Sequence, residues 1–490
     1  MGNIKKNYIY SICYQLLVML LPLITSPYIS RVMGVEKVGI FSYTYSIVNY
    51  FLLFSMMGIA NYGNRSIAFV RDNKDKVSKA FWSIYLLQVI TASISLIFYL
   101  IYVIFFVKQY RNIYIIWSLV LISGMIDISW LFFGFEKFKV TITRNIIVKI
   151  ISLIMIFVFI KTEDDLSKYV LIISLSTLIN QLLLWPFTKK IIVFKKPTFN
   201  NIINHIKPNF ILFIPVVAVS IYTIMDKIML KNLSSIEQVG LFDNAQKITI
   251  IATGIITSLG TVMLPRMSNL YAKEENELCK KYIWISIEYI MIIAIALSFG
   301  ISAVANNFVP IFFGEDFINS GPIMSLLSYT IIFIAWANVI RTQYLIPNKK
   351  DKIYVISVLL GAIVNFTINI ILIPKYNSMG AAIGTICAEF IVALYQTICI
   401  RKELSIVTYI KNILSFFLVG ISMFFIVKYI EIVLGKSLTV LFLQIIIGAF
   451  YYGVCTLIIL YKRKNKIILN LKIKIYDRMI KDEGNLKKRY

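Results

Sequence analysis

Ten charged residues matter most in this chain, because they sit in or at the ends of long apolar runs. An ionisable group at the centre of a membrane helix costs about 2.5–3.5 kcal/mol on insertion scales, so it needs a partner, a cavity or a short path to the interface. Glu389 lies near the middle of its run. It reads either as a carboxylate that exchanges a proton or cation, or as a neutral, hydrogen-bonded packing group. Asp127 and Lys149 lie at similar depths in two other runs; they form a structural ion pair or line a cavity. The densest cluster is Asp226, Lys227, Asp243 and Lys247. Asp243 and Lys247 are four residues apart and share a helix face. Asp226, Lys227 and Asp243 read as a salt-bridge network clamping a helical hairpin. Lys247 is the deepest of the four and the better contact for an anion.

Arg31 caps one end of the first run, and Arg65 and Arg341 lie near the opposite ends of theirs. The last two also fit the rule that cytoplasmic loops are basic. The candidate cavity-facing cations are therefore Arg31, Arg65, Lys149, Lys247 and Arg341. Guanidinium forks and ammonium charges suit a phosphate or pyrophosphate. The candidate coupling or structural acids are Glu389, Asp127, Asp226 and Asp243. Other chemistries lack their residues. His205 is the single histidine, and the cysteines (Cys13, Cys279, Cys387, Cys399, Cys455) are odd in number and far apart. No metal-ligand spacing, disulfide framework or Ser-His-Asp triad can be assembled. No metal, cofactor or catalytic residue is expected.

The elements that position these charges follow from composition. Hydrophobic residues make up 59% of the 490 and charged residues 15%, against about 25% charged in soluble domains. A soluble enzyme and a disordered or fibrous chain are excluded. The net charge of +26 would suggest nucleic acid in a soluble protein. Here it assigns basic loops to the side of an anionic leaflet, and no nucleic-acid partner. Roughly 20 residues cross a bilayer core. Fourteen runs qualify: 7–30, 38–64, 80–107, 112–135, 145–160, 169–188, 208–231, 238–265, 289–314, 317–340, 353–374, 376–400, 404–427 and 437–461. With the N-terminus inside, cytoplasmic loops and tails hold 36 Lys and Arg against 9 in the external loops, a bias that a miscounted helix would destroy. Both termini are expected in the cytoplasm, and the first run is expected to be a helix, not a cleaved signal. The basic tail 462–490 lies along the inner membrane surface or is simply solvated.

The stretch Glu36-Lys37-Val38-Gly39-Ile40-Phe41 recurs as Glu237-Gln238-Val239-Gly240-Leu241-Phe242. Both copies precede an even-numbered helix, and six helices separate them, so the two halves face the same way. The expected fold is all-α integral membrane, with 14 transmembrane helices in two parallel pseudo-symmetric bundles (6+6) plus two C-terminal helices. The divisions are an N-terminal lobe 1–207, a C-terminal lobe 208–400, two helices in 401–461, and the tail 462–490. Two such bundles imply a central cavity and alternating access, with Pro22, Pro27 and Pro215 permitting helix bending.

The opening Pro22-Leu-Ile-Thr-Ser-Pro-Tyr-Ile-Ser-Arg-Val-Met-Gly34 with Val38-Gly-Ile-Phe-Ser-Tyr43 resembles that of bacterial polysaccharide flippases. These are the O-antigen and capsule repeat-unit translocases of the multidrug/oligosaccharidyl-lipid/polysaccharide exporter superfamily. The likeness extends to Met225–Leu230, Val239–Ile248, Met263–Met267, Arg341–Pro347, Leu372–Tyr376, Gly380–Gly384 and Glu389. It covers helices 1–12 and is specific for the family but weak for the sugar. Where many relatives carry glycine after the leucine equivalent to Leu230, this chain has Lys231-Asn232. The resemblance implies a plasma-membrane carrier that moves undecaprenyl-pyrophosphate-linked oligosaccharide from the inner to the outer leaflet. A cationic cavity would hold the pyrophosphate, the lipid tail would stay in the bilayer, and a proton or sodium gradient would reset the carrier. Its partners would be that substrate, membrane lipids and polysaccharide polymerase machinery; the sequence leaves the oligomeric state open, with a monomer as the default.

Two alternatives within the superfamily are a peptidoglycan-precursor flippase and a drug/cation antiporter; the balance of intramembrane charges does not separate them, and the motifs favour the polysaccharide reading. A membrane polysaccharide polymerase would need a sizeable external loop with catalytic residues. The external loops here are short and contain no histidine.

Overall fold

The computed structural model describes the backbone of residues 2–463 except 190. Side chains are described from residue 21 onward, except at 138, 190, 215, 218, 222 and 261. The tail expected to lie along the membrane falls outside the described residues apart from its first two.

The chain is all-helical, with no strand among the described residues. The elements are α1 (Gly2–Met56), α2 (Ile59–Val70), α3 (Lys74–Phe105), α4 (Arg111–Met125), α5 (Ser129–Gly134), α6 (Phe138–Phe159), α7 (Leu166–Leu182) and α8 (Phe199–Leu233). They continue as α9 (Ile236–Ala272), α10 (Asn276–Phe313), α11 (Ser320–Leu327), α12 (Thr330–Ile340), α13 (Asp351–Ile400), α14 (Ile406–Leu434) and α15 (Leu438–Lys462). Eleven described helices are long and apolar enough to cross a membrane, or twelve when the bent pair Phe199–Ile214 and Val219–Leu233 counts as one span. This is a multi-pass membrane protein. A helix satisfies all its own backbone hydrogen bonds, which lipid cannot do for it.

Two helices are too long to be single rods. Fifty residues of straight helix would measure about 75 Å, more than twice the hydrocarbon core. The chain reverses within each. In α1 the break is Gly34, at φ 71° and ψ 177°, a backbone state open to glycine. Ser30 and Ser42 both reach the adjacent residues Asn244 and Asp243, whereas a straight helix would hold them about 18 Å apart. In α13 the break is Asn377. Past it the arms fold back: Gly380 packs on the backbone of Leu372, Gly384 on Asn369 and Gly361 on Ala388.

The reversal at Gly34 lies at the same end of the bundle as several other turns. Ser234, after α8, bonds Asn377 at 2.7 Å, and Ser378 bonds Gln238 at 2.6 Å. Here the repeated motif meets itself. A Cβ added to Gly39 would overlap the Ile236 carbonyl oxygen, and one added to Gly240 would overlap that of Val35. Val35 and Ile236 occupy the same place in the two copies, so the contact is reciprocal. Small residues let membrane helices approach backbone to backbone. The opposite end carries ion pairs between loops: Lys195–Asp75 at 2.6 Å, Arg71–Glu136 at 2.8 Å and Lys350–Glu403 at 2.5 Å.

Several boundaries differ from the sequence reading. The run 145–160 begins seven residues earlier, as α6, and takes Arg144 into the helix. The run 289–314 begins at Asn276, so Glu288 is buried in α10. The run 112–135 is two helices, α4 and α5, parted at Asp127. Charged residues end an apolar window without ending a helix, since Lys, Arg and Glu are good helix formers. Proline was an equally poor stop: Pro265 and Pro374 lie inside helices. A 47° bend separates 199–214 from 219–233, a segment that contains Pro215.

Gly240→Val tests the reciprocal contact. Its branched side chain has no room against the Val35 carbonyl. Spin labels at the exposed, repeat-equivalent Glu36 and Glu237 should then show a longer, broader distance distribution than in the parent. An unchanged distribution would mean that the close approach does not hold this end together.

Candidate transport site at the interface of the two halves

Neighbouring residues on a helix point about 100° apart. That angle separates the Asp226–Lys227 pair on α8. Lys227 turns toward α9, where its Nζ lies 2.5 Å from Asp243 Oδ1. Asp226 turns toward α13, where it accepts from Asn369 Nδ2 at 2.7 Å and from Thr385 Oγ1 at 2.8 Å. Asp226 is thus outside the salt-bridge network expected for it. Its pocket is polar: Asn365 also faces the carboxylate, and Asn369 Oδ1 is buried with no hydrogen-bond partner.

Asp243 is the centre of the other cluster. Lys247 Nζ lies 2.8 Å from its Oδ2, and Ser42 Oγ donates to its Oδ1 at 2.7 Å. Lys247 also donates to Asn244 Oδ1 at 3.0 Å, and Asn244 Nδ2 donates to Ser30 Oγ at 2.7 Å. Ser30 and Ser42 belong to the first half of the chain and the other four residues to the second. One carboxylate therefore holds two ammonium groups of its own half and one hydroxyl from across the interface, and Asp226 lies within electrostatic range of Lys227. Arg31 lies at the same end. Its Nη2 donates to the Ile311 carbonyl at 2.5 Å, in the last turn of α10, which adds a third link between the halves.

The remaining expected cations are dispersed. Arg65, on α2, is exposed and sits over the Phe69 ring at 5.6 Å. It lines a groove with Tyr62, Ser66, Pro208 and Ile211, beside the 2.6 Å contact of Tyr62 with His205 Nδ1. Arg341 opens a π-helical turn, Arg341–Leu345, and stacks over Tyr354 at 5.4 Å. It is in electrostatic range of Glu389, which is buried on the second arm of α13. Lys149 is half-buried on α6. Asp127 accepts the Ser129 amide at 2.8 Å where α5 begins and has Arg144 as a charged neighbour.

Two functional-looking residues escaped the sequence reading. Arg144 is buried, with Nη1 on the Asn180 carbonyl at 2.5 Å and Nη2 on Asn145 Oδ1 at 2.8 Å. It looked like a loop residue because the apolar run starts after it. Gln343, inside the π turn, is buried with neither side-chain polar atom bonded. It lies in the family-like stretch Arg341–Pro347, but no charge singled it out for a role. Among the described residues no group of three or more His, Cys, Asp or Glu could hold a metal ion.

Solved structures share this fold. One titled "Lipid II flippase MurJ, inward closed conformation" matches 94% of this chain and 100% of its own, with a TM-score of 0.71 and 19% identity. An inward-facing multidrug resistance MATE family transporter of the MOP superfamily matches 82% of this chain and 98% of its own, with a TM-score of 0.60 and 12% identity. The fold is that of the MOP-superfamily transporters. The chain belongs to the polysaccharide biosynthesis protein family, which matches residues 4–271. Among curated proteins it is similar to the "Putative O-antigen transporter" of Escherichia coli K12, at 25% identity over 82% of this chain and 97% of that one. It is also similar to the Shigella dysenteriae protein of the same name, at 26% identity over 77% and 95%. The capsular polysaccharide biosynthesis protein CapF of Staphylococcus aureus is 27% identical over 50% of this chain and 63% of its own.

Removing the central carboxylate tests the charge cluster. Asp243→Asn leaves two part-buried lysines facing each other, a change that costs roughly 3–5 kcal/mol for a broken buried pair. Thermal unfolding in detergent should shift down by several degrees, and a second change, Lys227→Met, should restore part of the loss. An unshifted Asp243→Asn protein would show that the cluster contributes no stability.

Proposed function

We propose that this protein is a flippase that moves undecaprenyl-pyrophosphate-linked oligosaccharide repeat units from the inner to the outer leaflet of the bacterial plasma membrane. The observation that carries the reading is the link between the halves at the Gly34 end. There close glycine contacts and a few polar bonds join the halves within one apolar cluster to which both contribute, the kind of interface between two bundles that alternating access would work on. Membership of the polysaccharide biosynthesis family and similarity to proteins named for O-antigen transport support the choice of cargo.

In this reading each arm of α1 and of α13 is a separate pass, which makes fourteen, grouped as 1–207, 208–400 and 401–461. The basic loops and both termini face the cytoplasm, and the Gly34 end faces outward. The pyrophosphate enters from the cytoplasmic side toward Arg65, Lys149, Arg341 and Lys247. The bundles rock, the headgroup leaves outward, and the lipid tail stays in the bilayer. Buried acids reset the carrier by exchanging a proton or cation. Glu389 has Arg341 as its charged neighbour. Asp226 has a hydroxyl and two carboxamides around it. The carrier works as a monomer beside the polymerase machinery that uses its product.

The test is the leaflet location of lipid-linked oligosaccharide in cells lacking the protein, probed with a membrane-impermeant lectin on spheroplasts. The expected result is full-length repeat units that stay shielded until the membrane is opened. Complete units on the outer face without polymer would place the defect at a later step and overturn the flippase reading.

A further inference from the structure

An aromatic face lies open beside the polar link between the halves. Phe41 stacks on Tyr45, with ring centroids 5.9 Å apart and planes at 16°. Tyr45 in turn tilts on Trp117 at 5.0 Å, and Tyr169 tilts on Phe41 at 4.7 Å. Trp117 is fully buried, and its Nε1 donates to Thr44 Oγ1 at 3.0 Å, so the indole is fixed from behind. Tyr45 is the exposed member of the four, at 38%. Its depth sets it apart from an ordinary membrane tyrosine. From the reversal at Gly34 to Tyr45 is about 16 Å of helix, roughly half of a 30 Å hydrocarbon core. Membrane tyrosines concentrate at the interfaces, where the hydroxyl meets water. At mid-bilayer that hydroxyl needs a polar neighbour or a wet cavity.

The polar neighbours come from the other half. Ser42, one turn before Tyr45, donates to Asp243, and Lys247 lies one turn past Asp243. Both helices start at the Gly34 end, so Tyr45 and Lys247 sit at one level. The Tyr169 hydroxyl lies in electrostatic range of both Asp243 and Tyr45. An open ring face with hydroxyl and ammonium groups at its edge has the chemistry of a pyranose site. A sugar ring packs its C–H face on an aromatic ring and turns its hydroxyls to polar groups at the rim. A polyprenyl chain would gain from the ring and nothing from the charges. We propose that Tyr45, backed by Phe41 and Trp117, stacks on a sugar ring of the cargo, with the Tyr169 hydroxyl and the Lys247 ammonium at the rim. The inference deepens the flippase reading and rests on it. The contact asks only for a C–H face, so it selects sugars as a class and tells glycan from lipid and phosphate.

The test measures binding to the purified full chain by native mass spectrometry, with two probes. One is the undecaprenyl-pyrophosphate-linked oligosaccharide extracted from cells lacking the protein; the other is undecaprenyl pyrophosphate without sugar. The parent should hold the sugar-bearing probe more tightly. Tyr45→Leu should weaken that probe roughly tenfold and leave the bare one unchanged. Tyr45→Phe keeps the ring and should keep the parent's preference. A Tyr45→Leu protein with the parent's preference would overturn the stacking, as it would if the ring met only lipid chains. So would a Tyr45→Leu protein that weakens both probes alike, which marks a structural role, or a Tyr45→Phe protein as impaired as Tyr45→Leu. Failure of the cargo reading is distinguishable. A parent that binds both probes equally sinks the sugar site alone, whereas a parent that binds neither above phosphatidylglycerol sinks the cargo reading and the sugar site with it.

Discussion

The structure depends on a contact that admits no side chain. Gly39 and Gly240 bring the backbones of α1 and α9 together at equivalent positions of a repeated motif. Hydrocarbon supplies little force to press helices together, so close packing and polar bonds must do so. Here both are present within one turn: the glycine contact, then Ser42 on Asp243 and Ser30 on Asn244. Replace either glycine with a bulkier residue and those bonds lose their reach.

The same end concentrates charge, and this gives the interface its character. A buried ion pair is weak as a source of stability, because desolvation offsets most of the attraction. Its better-attested use is to fix register or to switch. Asp243 with two lysines suits that role, since the carboxylate that they hold in place also accepts the Ser42 hydroxyl of the other half. A large apolar core packs around it, with residues of both halves in one cluster. Phe242, Phe313, Phe317 and Trp117 are all fully buried there.

Much of this was legible in the sequence, and the limits have physical causes. Hydropathy exposes the membrane class because lipid demands long apolar helices. The motif at 36–41 and 237–242 is visible as text, but that its two copies touch is a fact of folding. The family could be recognised from stretches such as Met225–Leu230, while the partners of Asp226 could not. Adjacent residues on one helix look like one cluster in a string, yet face about 100° apart. Arg144 was hidden by the habit of ending a helix where charge begins. Asp127 and Lys149 could be compared only by depth in the sequence; that Asp127 accepts the Ser129 amide where a helix restarts needed the fold.

In the proposed transport cycle the Gly34 end must open. The most direct measurement locks it. Cysteines at Glu36 and Glu237, joined by a bifunctional crosslinker whose reach matches their separation, should stop movement of lipid-linked oligosaccharide across proteoliposomes. Cleaving the linker should restore it. Transport that continues at the parent rate with the crosslink complete would contradict the account.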